Sequence, residues 1–208
     1  MTRLAIVTGS TRPHRRGRAV ADWVLTTARK AASEGVEVEL VDLADFALPV
    51  LDEPAPAAWG VYAHEHTRRW SEAIAAFDGY VFVTPEYNHG VPGPLKNATD
   101  HLYAEWHHKA VGFVGYGVNG GVRAVEQLRQ IAAELKLADV GPQVALSTYT
   151  DFDYTGVDLT DPTVTGVFAP DERHADDLAA LLDEVTVWSR ALAPVRDRSE
   201  REPAAAHS

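Results

Sequence analysis

Apolar and polar positions along this 208-residue chain alternate between two rhythms. Short strand-like runs occur at Leu4–Val7, Val36–Leu43, Tyr80–Val83, Ala110–Val114 and Val140–Leu146, and the unbroken apolar ones suit strands covered on both faces. The segments between them carry helical spacing. Gly17–Glu34 repeats Val20, Trp23, Val24 and Thr27 on one side, with Gly35 where a C-cap glycine belongs. Tyr62–Phe77 does the same with Trp70, Ala73, Ile74 and Phe77, and Leu95–Trp106, Val122–Leu137 and Asp171–Leu192 follow. This alternation predicts an α/β fold: a five-stranded parallel sheet with helices on both faces, as a single domain over residues 1–195. Residues 196–208, charged and Ala-rich, are expected to be a frayed tail. The connections Ala44–Gly60 and Ser147–Pro170 are long for this architecture. They are expected to be loops or short hairpins near a ligand or a subunit boundary.

In an open parallel sheet, ligands bind beyond the carboxyl ends of the strands. After the first strand comes Gly9-Ser10-Thr11-Arg12, with Arg15, Gly17 and Arg18 leading into a helix. A helix N-terminus with free amides, hydroxyls and guanidinium groups suits a phosphate. The loop is neither a Walker A motif nor G-x-G-x-x-G, and an ordinary β–α turn with solvated arginines is the alternative. After the third strand, Pro85-Glu86-Tyr87-Asn88 offers backbone N–H groups and a ring to a flat heteroaromatic with polar edges. The alternative there is a structural turn in which Tyr87 packs and Asn88 caps. His89 reads as a hydrogen-bond spacer rather than an acid, and Lys96 as a solvated side chain. After the fourth strand, Gly115–Gly121 contains Tyr116, Asn119, Gly120 and Gly121, a second ligand-facing loop.

Composition narrows the chemistry. The absence of cysteine excludes disulfides, thiolate catalysis and cysteine-held clusters, and fits a cytoplasmic protein. A net charge of −11 argues against nucleic acid, although Arg12, Arg15, Arg16 and Arg18 form a local cationic knot. No stretch reads as a membrane span or secretory signal. No metal site is expected: His64 and His66 are two apart and His107 and His108 adjacent, so neither pair shares a helix face.

Pro85-Glu86-Tyr87-Asn88-His89-Gly90, followed by Pro92-Gly93, Leu95-Lys96-Asn97 and Asp100, resembles the NAD(P)H-dependent FMN reductase family, a flavodoxin-like group that includes quinone, azo-dye and chromate reductases. Gly9-Ser10-Thr11-Arg12 looks like that family's phosphate loop, and Gly115–Gly121 like its second flavin loop. The resemblance spans nearly all of residues 3–192. It implies a flavodoxin-like three-layer sandwich and non-covalent FMN, with NADPH or NADH as donor and a small-molecule acceptor. It also implies phosphate contacts at Ser10, Thr11, Arg12 and the following arginines. The flavin ring would meet Pro85, Glu86, Tyr87 and Asn88, with Tyr116, Asn119, Gly120 and Gly121 on its other side. No side chain is required as a catalyst, since the flavin does the chemistry. A homodimer or homotetramer is implied, with Leu95, His101, Leu102 and Trp106 as candidate contacts. The rival functions are a non-enzymatic, flavodoxin-like electron carrier and a flavin-based redox sensor.

Overall fold

The computed structural model describes residues 1–161 and 163–201. Strands β1 (Thr2–Thr8), β2 (Val36–Asp42), β3 (Gly79–Pro85), β4 (Ala110–Gly117) and β5 (Ala138–Ser147) form one parallel sheet in the order β2-β1-β3-β4-β5. Helices α1 (Gly17–Ala31), α2 (Glu65–Ala75), α3 (Gly93–Asp100), α4 (Val122–Glu134) and α5 (Arg173–Arg201) cover it. The expected five-stranded parallel sheet is present.

Strand alternation sorts the core into two layers. Leu4 and Ile6 of β1 face α1 and α5, packing with Val20, Val24, Leu178 and Val185. Ala5 and Val7 face the other way, among Trp70 and Ile74 of α2, Leu95 of α3 and Leu128 of α4. β1, β3 and β4 are almost wholly buried, which is why their sequences lack alternation. β5 is an edge strand, and its register against β4 shifts between Val111 and Phe113, opposite the Gly141-Pro142 step that cannot complete a regular ladder.

Local chemistry moved several boundaries. α2 starts at Glu65 rather than Tyr62, because the Glu53 carboxylate accepts the amides of Ala63 and His64 just before it. The helix expected to run to Trp106 ends at Asp100, and a separate 3₁₀ turn covers Ala104–Trp106, where Glu105 accepts the Tyr103 amide. The segment after β5 holds a small antiparallel pair, β6 (Phe152–Asp153) and β7 (Val167–Phe168), the short hairpin expected there.

Two expectations are corrected. The chain from Arg196 to Arg201 is not frayed but continues α5 through Pro194. Arg196 anchors it, donating to the Asp78 carboxylate at 2.5 Å and to the carbonyls of His108 and Ser189. The rest of the expected tail, residues 202–208, lies outside the described residues. Leu95, His101, Leu102 and Trp106 are each no more than 1% exposed, held in this chain's own core, so they present no surface to a partner. Among the described residues no helix is long and apolar enough to cross a membrane.

Removing the Arg196 anchor leaves the half-buried Asp78 carboxylate with one charge-assisted partner fewer. Arg196→Ala is expected to lower unfolding stability by about 1–2 kcal/mol in a denaturant titration. An unchanged midpoint would mean that this turn of α5 contributes nothing to the fold.

Candidate functional site

Every strand of the main sheet ends at one rim, and the loops leaving it enclose two adjoining clefts. The wider, about 640 Å³, lies between the connection after β2 and the start of α3, lined by Thr11, Leu43, Ala47, Val50, Pro94 and Asn97 among others. The narrower, about 170 Å³, lies among Arg12, Arg15, Pro85–Tyr87, Tyr116–Val118 and Thr148. The loop after β1 separates them, with Thr11 on one side and Arg12 on the other.

That loop is rich in donors without intramolecular acceptors. Among the described residues, the amides of Ser10, Thr11 and Arg12 donate to nothing, and no side chain caps the first turn of α1. The first turn of α1 also carries no acidic residue. Such an end is electropositive and ready for an anion.

The four arginines, equivalent in the sequence, separate here. Arg15 ion-pairs with Asp42, a carboxylate at the end of β2 that is almost removed from solvent. Arg18 binds Asp22 one helical turn on and lies 3.7 Å from Asp42. Arg16 donates to the Thr165 carbonyl at 2.7 Å and packs its guanidinium over Phe152 and Tyr154, tying the loop to the β6–β7 hairpin. Arg12 is exposed and has no acidic partner among the described residues.

The loop after β3 is a two-residue reversal. Tyr87 and Gly90 exchange backbone hydrogen bonds at 3.1 Å, and Asn88 and His89 both take positive φ, +49° and +70°. This is the geometry of a type I′ turn, and two non-glycine residues there hold local strain. The expectation that Glu86, Tyr87 and Asn88 all present free amides is corrected. Glu86 N–H donates to the Tyr116 carbonyl and Tyr87 N–H to the Gly90 carbonyl, leaving Asn88 as the free one of the three. His89 is exposed, and its carbonyl accepts from Gln127. Lys96 pairs with Asp100, while Asn97 bonds Pro49 O and Leu51 N, pinning the wall of the wide cleft to α3.

Tyr87 and Tyr116 close the narrow cleft differently. Tyr87 is part-exposed, with its hydroxyl 3.0 Å from Ser10 Oγ, so it links the first and third loops. Tyr116 is 5% exposed, and its hydroxyl lies beside Ser10 without a hydrogen bond of good geometry. Burial raises its pKa, so it stays a neutral donor. A Cβ on Gly17 would stand 2.4 Å from that hydroxyl, so glycine at the first turn of α1 makes room for Tyr116. The hydroxyl thus points toward Ser10 and the first turn of α1. Gly120 and Gly121 take φ of +70° and +68° against Ala145 and the Tyr116 backbone and serve the turn itself, whereas Asn119 is exposed.

Glu86 works through its side chain. One oxygen accepts from Arg123 Nη1 at 2.7 Å and the other from the Arg123 amide, which joins the third loop to the start of α4. Burial alone would raise its pKa, but the two Arg123 hydrogen bonds outweigh it and the net shift is downward. A depressed carboxylate stabilises the fold above its unfolded pKa, near the ordinary glutamate value of 4.5, and loses that contribution as pH falls through the folded value. Glu86→Gln is therefore expected to reduce stability at neutral pH. In urea titrations, the gap to the unsubstituted protein should narrow below about pH 4. A gap independent of pH would remove charge from the explanation.

Asp52, His66 and His101, from three separate segments, place one ligand atom each within 4.8 Å of one another. The linear pattern considered only neighbours on one helix and carried no signal of this meeting.

The chain is similar to several known proteins. An NAD(P)H-dependent FMN reductase of Nectria sp is 37% identical over 196 residues, covering 89% of this chain and 96% of the relative. One from Schizosaccharomyces pombe is 40% identical over 164 residues, covering 78% and 80%. The solved flavoenzyme NAD(P)H:(acceptor) oxidoreductase FerB from Paracoccus denitrificans superposes with a TM-score of 0.64 at 23% identity, covering 92% of this chain and 98% of that one, a likeness of fold. The model of the NADPH-dependent FMN reductase family matches residues 2–151, and the chain belongs to that family.

Proposed function

We propose that this protein binds FMN along the rim and reduces small acceptors with electrons from NADPH or NADH. The observation that carries the reading is the set of unclaimed donors on the loops of the rim: the amides of Ser10, Thr11 and Arg12, the Arg12 guanidinium, the free Asn88 amide and the buried Tyr116 hydroxyl. A buried hydroxyl without an acceptor is costly unless a ligand supplies one. These residues suit a phosphorylated, flat, polar-edged cofactor, which FMN is.

On this reading, Ser10, Thr11 and Arg12 with the first turn of α1 hold the phosphate, and Tyr116 donates to it from within. Arg15 and Arg18 set the loop through Asp42 rather than touching the ligand. Asn88 N–H faces the polar edge of the ring, and Pro85 and Tyr87 wall it. Gly120 and Gly121 shape the opposing turn. Bound FMN supplies hydride acceptance and onward electron transfer. The chain's own residues bind, orient and partly exclude water. Donor and acceptor enter in turn through the wide cleft, which gives ping-pong kinetics. Self-association belongs to the same reading, through the exposed Val50, Trp59 and Val61 rather than the buried face of α3.

The test begins with FMN titration into apoprotein, followed by anaerobic NADPH or NADH and then a quinone. FMN should bind, bleach with the nicotinamide and recover colour with the quinone. A bound flavin that stays oxidised in both nicotinamides would instead make the chain an electron carrier. Arg12→Ala should weaken FMN binding about tenfold or more, corresponding to a charge-assisted contact of about 1.5–3 kcal/mol, whereas Arg18→Ala should change it little. Unchanged affinity in Arg12→Ala would remove Arg12 from the site.

A further inference from the structure

Away from the narrow cleft, the loop after β2, the first turn of α2 and the end of α3 bring imidazoles and a carboxylate together. His66 Nε2 donates to Asp52 Oδ1 at 3.0 Å, and His64 Nε2 to the Asp52 carbonyl at 3.2 Å. The His64 and His66 rings stack 5.2 Å apart and 13° from parallel. His101 is fully buried, and its ring meets that of His66 edge-on. Its Nε2 lies 3.2 Å from the Pro49 carbonyl, which can only accept, so Nε2 carries the proton and Nδ1 keeps its lone pair. Nδ1 faces Thr67 Oγ1 at 3.3 Å, in the first turn of α2.

We infer that Asp52, His66 and His101 form a binding site for Zn²⁺ or a similar late divalent metal. Two imidazoles and a carboxylate are the donors such ions prefer. The Pro49 carbonyl acts as the outer partner that fixes the tautomer of a ligating histidine. His66 and Asp52 already lean together, so the metal takes the place of the proton between them. Tetrahedral coordination at about 2.0–2.2 Å needs donor atoms roughly 3.3 Å apart. The three donors lie within 4.8 Å; the exposed Asp52 and half-buried His66 must adjust, and the Thr67 hydroxyl must turn away from His101 Nδ1. The positive end of α2 opposes a cation, but the Glu53 carboxylate on the Ala63 and His64 amides offsets it. Water or His64 completes the coordination.

The consequence is mechanical. Pro49 O also accepts from Asn97, and Val50 lines the wide cleft, so a metal here clamps that wall to α2 and α3. The site does not depend on the flavin reading and is tested without it. Tag-free, metal-stripped full-length protein is titrated with zinc chloride by calorimetry, and its melting temperature is followed alongside. Zinc should bind at this site and raise the melting temperature, since it stabilises the folded state alone. His66→Ala and Asp52→Asn should each weaken that binding at least about tenfold, while the control His14→Asn binds as the unsubstituted chain does. Cobalt(II) difference spectra should show a tetrahedral band that His66→Ala loses. Absence of zinc binding, or binding equally strong in His66→Ala and Asp52→Asn, overturns the inference.

Discussion

Carboxylates withdrawn from water hold much of the sheet's carboxyl rim, and the shape of the clefts depends on them. Asp42, at the end of β2, takes Arg15 and Arg18 and caps the next turn through the Ala44 amide. Glu86, after β3, takes the Arg123 side chain and amide. Asp151, beyond β5, accepts the Ser147 and Asp171 amides and stands 3.2 Å from His174. A carboxylate out of water is tolerated only when its lone pairs are occupied, so each of these imposes a geometry on the strands and helices around it. Loops carrying unfulfilled donors would otherwise fold back to satisfy themselves.

That constraint decides what is left for a ligand. With Arg15, Arg18 and Arg123 tied to acids and Arg16 tied to a carbonyl and two rings, Arg12 is the arginine of the first loop that lines the narrow cleft without such a partner among the described residues. The acidic excursion after β5 is drawn into the same frame. Arg16 grips it at Thr165, Phe152 and Tyr154, and Phe168 packs edge-on against Trp23 of α1. This segment therefore buttresses the first loop from behind. Movement of this segment as a lid would require these contacts to break.

What the sequence made legible and what it hid divide along a physical line. Strand runs, helix faces and the loops at strand ends are local in sequence, so the sheet, its helices and the three loops at the rim could be read directly. The separate roles of four adjacent arginines could not, because they depend on where Asp42, Asp22 and Thr165 arrive in space. Nor could the Glu86 and Tyr87 amides be judged from residue types: their acceptors are carbonyls of Tyr116 and Gly90, fixed by sheet register and turn geometry. The hidden role of Arg196 and the burial of Leu95, Leu102 and Trp106 have the same origin. So does the meeting of Asp52, His66 and His101, which lie on segments far apart in the chain.

On the proposed reading, the wide cleft sets what the reductase can discriminate. Its wall is mainly Leu43, Ala44, Ala47, Leu48, Val50, Gly93 and Pro94, with Thr11 and Asn97 as its polar members. Asn97 already has both ends of its amide engaged by Pro49 and Leu51, so it offers little recognition. An apolar wall separates ligands that differ by a methylene by only about 1–3 kcal/mol, whereas strict selection requires buried polar groups that a wrong ligand leaves unpaired. Selection in such a cleft therefore acts by thickness and outline. Ala47, held at a φ of +47°, and Val50, beside the Asn97-pinned carbonyl of Pro49, set that outline through backbone position rather than side-chain chemistry. On the proposed reading, breadth toward flat acceptors follows from a wall that has shape but few directional groups, and narrowing it would require buried donors or acceptors beyond Thr11.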